Sequence, residues 1–263
     1  MTRPKVLVGG PISEYHGYCT EDFLKALKAL DYPNMEMLFI DNSDEERFYG
    51  LVKDCGIPII RKFYETKGVK KRMVQCRNFL RRKVLHEDFD YFFNVDQDVI
   101  LPPDALTRLV SHKKPMVTGI YYNEFEFVGR MRVMPVLYRW LTETEVGWLK
   151  DHGPVLRKTR PDIITVLNKK NQDYRRLRKQ YFPHEVEGEK LMQVKCCGTG
   201  CFLVRRDVLE KIPFRMNPDK VSFDDVIFCE DAELRDIPLY ADTSVKCRHL
   251  VKRRPWTWEI NLK

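Results

Sequence analysis

Tyr91-Phe92-Phe93-Asn94-Val95-Asp96-Gln97-Asp98 is the stretch on which the fold turns. Its first five residues have the length and composition of a buried strand, and two carboxylates stand at its end. In an extended backbone, residues i and i+2 share a face, so Asp96 and Asp98 look into one crevice. Beyond them Val99-Ile100-Leu101 is stopped by Pro102-Pro103, and Asp104 falls in the first turn of a helix read from Ala105, Leu106, Leu109 and Val110. Strand, loop and helix in that order put the acids at a strand's carboxyl end, where open α/β sheets bind ligands. Oxygen donors of this kind suit Mg²⁺ or Mn²⁺, which combine one or two carboxylates with water and substrate phosphates. The competing explanation of such a pair is helix capping and surface charge.

The flanking sequence repeats the pattern. Lys5 to Gly9 reads as a first strand ending in Gly9-Gly10-Pro11, followed by a helix that Thr20 caps and that Phe23, Leu24, Leu27 and Leu30 make amphipathic. Met35 to Ile40 is a second strand that delivers Asp41 and Asn42 to its carboxyl end. Ser43 and Glu46 fit a capping box for the next helix, which Gly56 closes. Pro58 to Arg61, a helix from about Val69 to Leu85, and a fifth strand from Pro115 to Tyr122 complete the alternation. This predicts an α/β, Rossmann-like fold with a mostly parallel central sheet flanked by helices. The second half is less regular, with apolar runs at Val133 to Trp140 and Val194 to Val204. Helices and a loop are expected between them, from Thr142 to Glu189.

The 263 residues, 43% of them hydrophobic, suffice for one large domain, and no linker or repeat marks a cut. No apolar stretch is long enough to cross a bilayer, and Met1-Thr2-Arg3-Pro4-Lys5 is too short for a signal peptide, so a cytoplasmic protein is expected. In that compartment eight cysteines read as buried thiols; Cys196, Cys197 and Cys201 lack the paired spacing of a structural zinc site. The net charge of +8 is clustered: ten basic residues against one acid from Arg61 to Lys83, six against one from Lys169 to Lys179, and five with none from Lys246 to Arg254. Such patches favour anionic partners, namely nucleotide phosphates, nucleic acid or an acidic membrane surface. A non-catalytic nucleic-acid-binding protein would explain the patches but not acids at strand ends.

Three further features join the acid pair: Arg77-Asn78 in the helix before its strand, Cys197-Gly198-Thr199-Gly200-Cys201, and Asp224-Asp225 opening a segment that runs to His249. Together they resemble the metal-dependent glycosyltransferases of the A fold, especially the inverting family of polysaccharide and glycolipid synthases. The resemblance implies a D-x-D motif in which Asp98 binds a divalent ion, Mn²⁺ or Mg²⁺, and Asp96 contacts the nucleotide ribose or the metal's water shell. It also implies a nucleotide-diphosphate sugar as donor, with Pro11, Asp41 and Arg77 near the nucleotide. Gly198, Thr199 and Gly200 match the acceptor-side loop, and His249 matches the family's metal-binding histidine. Asp224-Asp225 stands for the family's E-D pair, whose second acid is the catalytic base; here the first acid is one methylene shorter. Glu230-Asp231 is a competing pair that fits the spacing to Asp242 less well, and Asp236 stands where the family often has glycine. By the same likeness, residues 1–122 form the donor half and 123–250 the acceptor half. The tail 251–263 directly follows His249, which leaves two readings of Trp256 and Trp258: a lid that closes over the site, or the filling of a surface groove. The acceptor is expected to be anionic: a glycan, a lipid phosphate or nucleic acid, with peripheral membrane contact. The runner-up reading, a sugar-1-phosphate nucleotidyltransferase, calls for a basic glycine-rich loop after the first strand, and Gly9-Gly10-Pro11-Ile12-Ser13 has no basic residue.

Overall fold

Gly9 and Gly10 sit in the middle of the sheet because no side chain fits there. A Cβ on Gly9 would stand 2.1 Å from the Leu38 carbonyl oxygen, and one on Gly10 2.2 Å from that of Val95. The strand that carries them, β1 (Val6–Ile12), runs parallel to β2 (Met35–Asp41) on one side and to β4 (Tyr91–Val95) on the other. It extends three residues past the strand read from sequence. Pro11 is tolerated because the pairing with β4 ends at Gly9↔Asn94, while that with β2 continues to Ile12↔Asp41. The computed structural model describes residues 3–62, 68–127, 130–148, 151–152, 178–217 and 222–251.

On the far side of β2 lies β3 (Ile59–Arg61), and the first half is completed by β5 (Val99–Ile100), β6 (Met116–Ile120) and β7 (Tyr122–Phe127). In the second half follow β8 (Arg130–Pro135), β9 (Leu137–Trp140), β10 (Arg178–Gln180), β11 (Leu191–Val194), β12 (Cys196–Cys197), β13 (Cys201–Arg205), β14 (Leu239–Lys246) and β15 (Arg248–His249). Eight strands form the main sheet in the order β11-β14-β6-β13-β4-β1-β2-β3. Only β13 and β11 run against the rest, so the sheet is mostly parallel, and strands from both halves of the chain are woven into it.

Helices α1 (Thr20–Lys28), α2 (Arg47–Asp54), α3 (Val69–His86), α4 (Ala105–Ser111), α5 (Arg206–Lys211) and α6 (Asp224–Glu233) flank the sheet. Two apolar layers result, one containing Phe23, Phe39, Phe93 and Leu106, the other Leu80, Phe92, Phe202 and Phe228. Strands buried on both faces account for the near-continuous apolar composition of β1 and β4. The chain steps outward from β1 through β2 to β3, then returns through α3 to β4 on the other side of β1. This reversal opens the crevice of a doubly wound sheet between the carboxyl ends of β1 and β4.

Two expected caps serve other ends. Thr20 opens α1 but its hydroxyl meets the His16 carbonyl and the Gln97 side chain, and Ser43 Oγ accepts the Glu14 N–H instead of capping α2. Gly56 closes α2 with φ +78°, as expected. All eight cysteines are free thiols, seven of them buried. The expected lid residues Trp256 and Trp258, and most of the Lys169–Lys179 basic cluster, lie outside the described residues. Among the described residues no helix is long and apolar enough to cross a membrane.

Candidate active site

The acid pair sits in a tight turn between β4 and β5, closed by a hydrogen bond from the Val99 N–H to the Asp96 carbonyl at 3.0 Å. Gln97, between the acids, points the other way and is buried. It accepts the Ser13 N–H at 2.8 Å and donates to the His16 carbonyl at 3.2 Å and to Thr20 Oγ1 at 3.0 Å, fastening the turn to the segment after β1. Alternation along the chain signalled its direction, but nothing in the sequence named its partners.

Asp98 and His249 meet because β14 breaks register between Asp242 and Lys246 and the chain then enters β15, which pairs antiparallel with β5 in the register His249↔Val99. His249 Nε2 stands 3.3 Å from Asp98 Oδ2. Its Nδ1 lies 2.8 Å from the Tyr122 carbonyl oxygen, which only accepts, so Nδ1 carries a proton and Nε2 is turned toward the carboxylate. Burial pushes the imidazole pKa down, but the hydrogen bond and charge of Asp98 outweigh it and the net direction is up. For Asp98, burial pushes upward while the His249 hydrogen bond and the charges of His249 and His16 bring it below the usual carboxylate value. His16, which sequence reasoning did not single out, places Nδ1 3.8 Å from the same Asp98 oxygen.

A carboxylate facing an imidazole whose second nitrogen is fixed by a carbonyl offers two donors of a kind that could ligate a divalent ion. Among the described residues no three His, Cys, Asp or Glu side chains come together as a metal-holding group.

Asp96, expected at the ribose or the metal, gives Oδ1 to Arg77 Nη2 at 2.9 Å and to Asn94 Nδ2 at 3.1 Å. Arg77, expected near the nucleotide, is 1% exposed and grips Asp224 through Nη1, 2.7 and 2.8 Å from its two oxygens. Both residues are thus in the site, held by each other. Asp41 is fully buried at the end of β2; Oδ1 accepts the Ser43 N–H at 2.9 Å, while Oδ2 has no hydrogen-bond partner and lies 3.9 Å from Arg61 Nε. Pro11 lies beside Ile40 at the same sheet edge.

At the amino end of α6 the two acids have different surroundings. Asp224 is 1% exposed and bound by Arg77, whereas Asp225 is only partly buried and accepts the Val226 N–H at 2.6 Å. Burial and the neighbouring Asp224 charge push the Asp225 carboxyl up to about 6, against the opposing pull of Arg77. The competing acids are taken by arginines: Glu230 pairs with Arg178, and Asp231 is held by Arg215 at 2.6 and 2.7 Å. Asp236 has φ +54°, the left-handed conformation that favours glycine.

The Gly198-Thr199-Gly200 segment runs beside the acid turn, with the Gly200 carbonyl accepting the Asp96 N–H at 3.1 Å and the Thr199 carbonyl accepting Asn94 Nδ2 at 2.6 Å. Neither glycine has a positive φ, so turn geometry does not call for them. The reason is Tyr121: a Cβ on Gly198 would fall 2.0 Å from its Oη, and one on Gly200 3.1 Å from the same atom and 2.6 Å from Val99 Cγ2. The Gly200 N–H donates to Tyr121 Oη at 3.2 Å, and the same ring meets His249 edge to face, with centroids 5.3 Å apart.

No family model and no curated protein matches the chain. Among solved structures it is similar to A197 from STIV, with 16% identity and a TM-score of 0.44 over 96% of this chain and 88% of that one. It is also similar to S. aureus TarS 1-349 in complex with UDP-GlcNAc, with 14% identity and a TM-score of 0.48 over 96% of this chain and 57% of the TarS chain. A third is glucosyl-3-phosphoglycerate synthase from Mycobacterium tuberculosis in complex with Mn²⁺, UDP and glucosyl-3-phosphoglycerate, with 14% identity and a TM-score of 0.48 over 96% of this chain and 73% of that one. The chain thus spans little more than half the length of the TarS chain it matches. Likenesses at this level assign neither activity nor ligand to the present chain.

Proposed function

We propose that the chain is a glycosyltransferase of the A fold that moves a sugar from a nucleotide-diphosphate donor to an acceptor hydroxyl, with a divalent ion and inversion at the anomeric carbon. The observation that carries this reading is the convergence at one switch-point crevice of Asp98 with His249 and of Arg77 with Asp96 and Asp224, with Asp225 beside them. A raised, incompletely paired carboxyl beside such a cluster is what a general base working near neutral pH calls for.

On this reading Asp98 and His249 hold Mn²⁺ or Mg²⁺, which supplies Lewis-acid stabilisation to the charge developing on the departing nucleoside diphosphate. Asp41, whose buried Oδ2 lacks a hydrogen-bond partner beside the Arg61 charge, takes a donor group of the base or ribose, next to the backbone at Pro11. Asp225 accepts the proton of the acceptor hydroxyl as that oxygen attacks the face opposite the diphosphate, which inverts the configuration. A carboxyl near pKa 6 is matched to this task at neutral pH, and general-base help of this type contributes roughly 10²–10⁴-fold. Residues 1–122 serve the donor and 123–250 the acceptor, and the basic clusters favour an anionic acceptor, a glycan, lipid phosphate or nucleic acid.

The test is a panel of nucleotide sugars incubated with the full chain and Mn²⁺, scored by nucleoside diphosphate released and by NMR of the product's anomeric centre. Release that requires the ion and is lost in Asp225→Asn supports the reading; a retained anomer contradicts inversion, and no release with any donor contradicts the function.

A further inference from the structure

We infer that Arg77 is a positioning residue: one buried guanidinium holds Asp96 on the acid turn and Asp224 on α6 together, and so sets Asp225 against the donor. The inference rests on the proposed glycosyltransferase reading and concerns how its two halves are coupled. Arg77 lies in the third turn of α3, 1% exposed, and each arm of its fork has a separate partner. Nη1 meets both oxygens of Asp224 at 2.7 and 2.8 Å, Nη2 meets Asp96 Oδ1 at 2.9 Å, and Nε meets Asn94 Oδ1 at 3.3 Å. Asn94 closes the network by donating to Asp96 Oδ1 at 3.1 Å and to the Thr199 carbonyl at 2.6 Å. Two segments distant in sequence, the end of β4 and the start of α6, thus converge on one planar cation carried by α3, and the segment before β13 joins them through Asn94.

A fork of this shape bridges two carboxylates in fixed geometry, which a point charge does not do. The arrangement also accounts for aspartate at position 224. Its short side chain presents both oxygens to Nη1 while the next residue, Asp225, stays out of the clamp. The charged and titratable groups around Asp225 come from several elements: Asp224 beside it, Arg77 on α3, Asp96 after β4, Tyr121, Tyr138 on β9, and Cys196 and Cys197 on β12. Of these, Arg77 alone is a cation that draws the Asp225 carboxyl downward.

The deciding variant is Arg77→Lys, which keeps the buried positive charge but replaces the fork with a shorter point charge. A positioning role predicts a folded protein with Mn²⁺-dependent UDP and GDP affinities within a few-fold of wild type and kcat lowered about 10²-fold, the scale on which misplaced reacting groups act. The Asp225 carboxyl, followed by ¹³C NMR and assigned with Asp225→Asn, then titrates about half a pH unit or more higher, because the cation has receded. A merely structural Arg77 predicts that kcat falls only with the folded fraction, which would overturn the inference. If Arg77→Lys does not fold, Asp224→Asn decides in its place: the same loss of kcat with the Asp225 midpoint moved down supports the clamp, and wild-type kcat with an unmoved midpoint overturns it. Wild-type protein that binds neither nucleotide with Mn²⁺ and transfers no sugar contradicts the glycosyltransferase reading.

Discussion

His249 Nε2 faces Asp98 Oδ2 across 3.3 Å although 151 residues separate them in the chain. The contact depends on the β5–β15 pairing and on the Tyr122 carbonyl that fixes the other ring nitrogen at 2.8 Å. The hydrogen bond and charge of Asp98 hold the imidazole pKa of His249 above its usual value. On the proposed reading the neutral imidazole would be the form that ligates an ion. His249→Ala is therefore expected to weaken Mn²⁺-dependent nucleoside diphosphate binding at least about tenfold by calorimetry. Wild-type affinity in that variant would remove His249 from the site.

Turnover is expected to follow the ionisation of Asp225. Because the base works deprotonated, kcat/KM falls as pH drops through about 6 and is level above it. Asp225→Asn preserves size and is expected to lower kcat by roughly 10²-fold or more while nucleotide affinity stays within a few-fold. The converse pattern, with Asp224→Asn losing turnover at unchanged Asp225 titration, would place the base one residue earlier.

The same residue costs stability. A carboxyl whose folded pKa lies above its unfolded value of 3.8 holds its proton longer in the native state, so stability falls as pH rises from about 4 to about 6. Asp225→Asn removes that penalty and is expected to raise the unfolding free energy at pH 7.5 by up to about 3 kcal/mol, and by much less at pH 4. Urea melts at the two pH values measure this; equal effects at both would show that the Asp225 carboxyl is not raised by the fold.

Glycine substitutions probe the crevice walls. Gly10→Ala would drive a methyl to within 2.2 Å of the Val95 carbonyl oxygen, and Gly198→Ala one to within 2.0 Å of Tyr121 Oη. Each is expected to destabilise by about 1–3 kcal/mol or more, since neither a paired strand nor a buried, hydrogen-bonded ring gives way cheaply. Gly17→Ala, where nothing stands within 4 Å, serves as control and should be near neutral. Equal stability of all three variants in denaturant melts would contradict this packing.

How much was legible in the sequence depended on how local each feature is. β4 was read to the residue, and α3 to within one residue at its carboxyl end, because a short apolar run and an uninterrupted helix-forming stretch are properties of the chain itself. The end of β1 was misplaced because Pro11 looks like a stop until the neighbouring strand is known to have ended. Thr20 and Ser43 have capping chemistry, but Gln97 and Glu14 use their hydroxyls across the fold. The network of Arg77, Asn94, Asp96 and Asp224 was out of reach for the same reason: its members are separated by up to 147 residues, and only tertiary structure joins them. The glycines of Gly198-Thr199-Gly200 were noticed, but Tyr121, which requires them, was not.

The most direct measurement is the melting temperature of wild type and Asp98→Ala with UDP or GDP, in Mn²⁺ and in chelator. A diphosphate site completed by an ion on Asp98 predicts a substantial nucleotide-induced rise for wild type in Mn²⁺ only, since ligand binding to the native state stabilises it as concentration exceeds Kd, and no such rise for Asp98→Ala. An equal rise in chelator, or an unchanged Mn²⁺-dependent rise in Asp98→Ala, would contradict it.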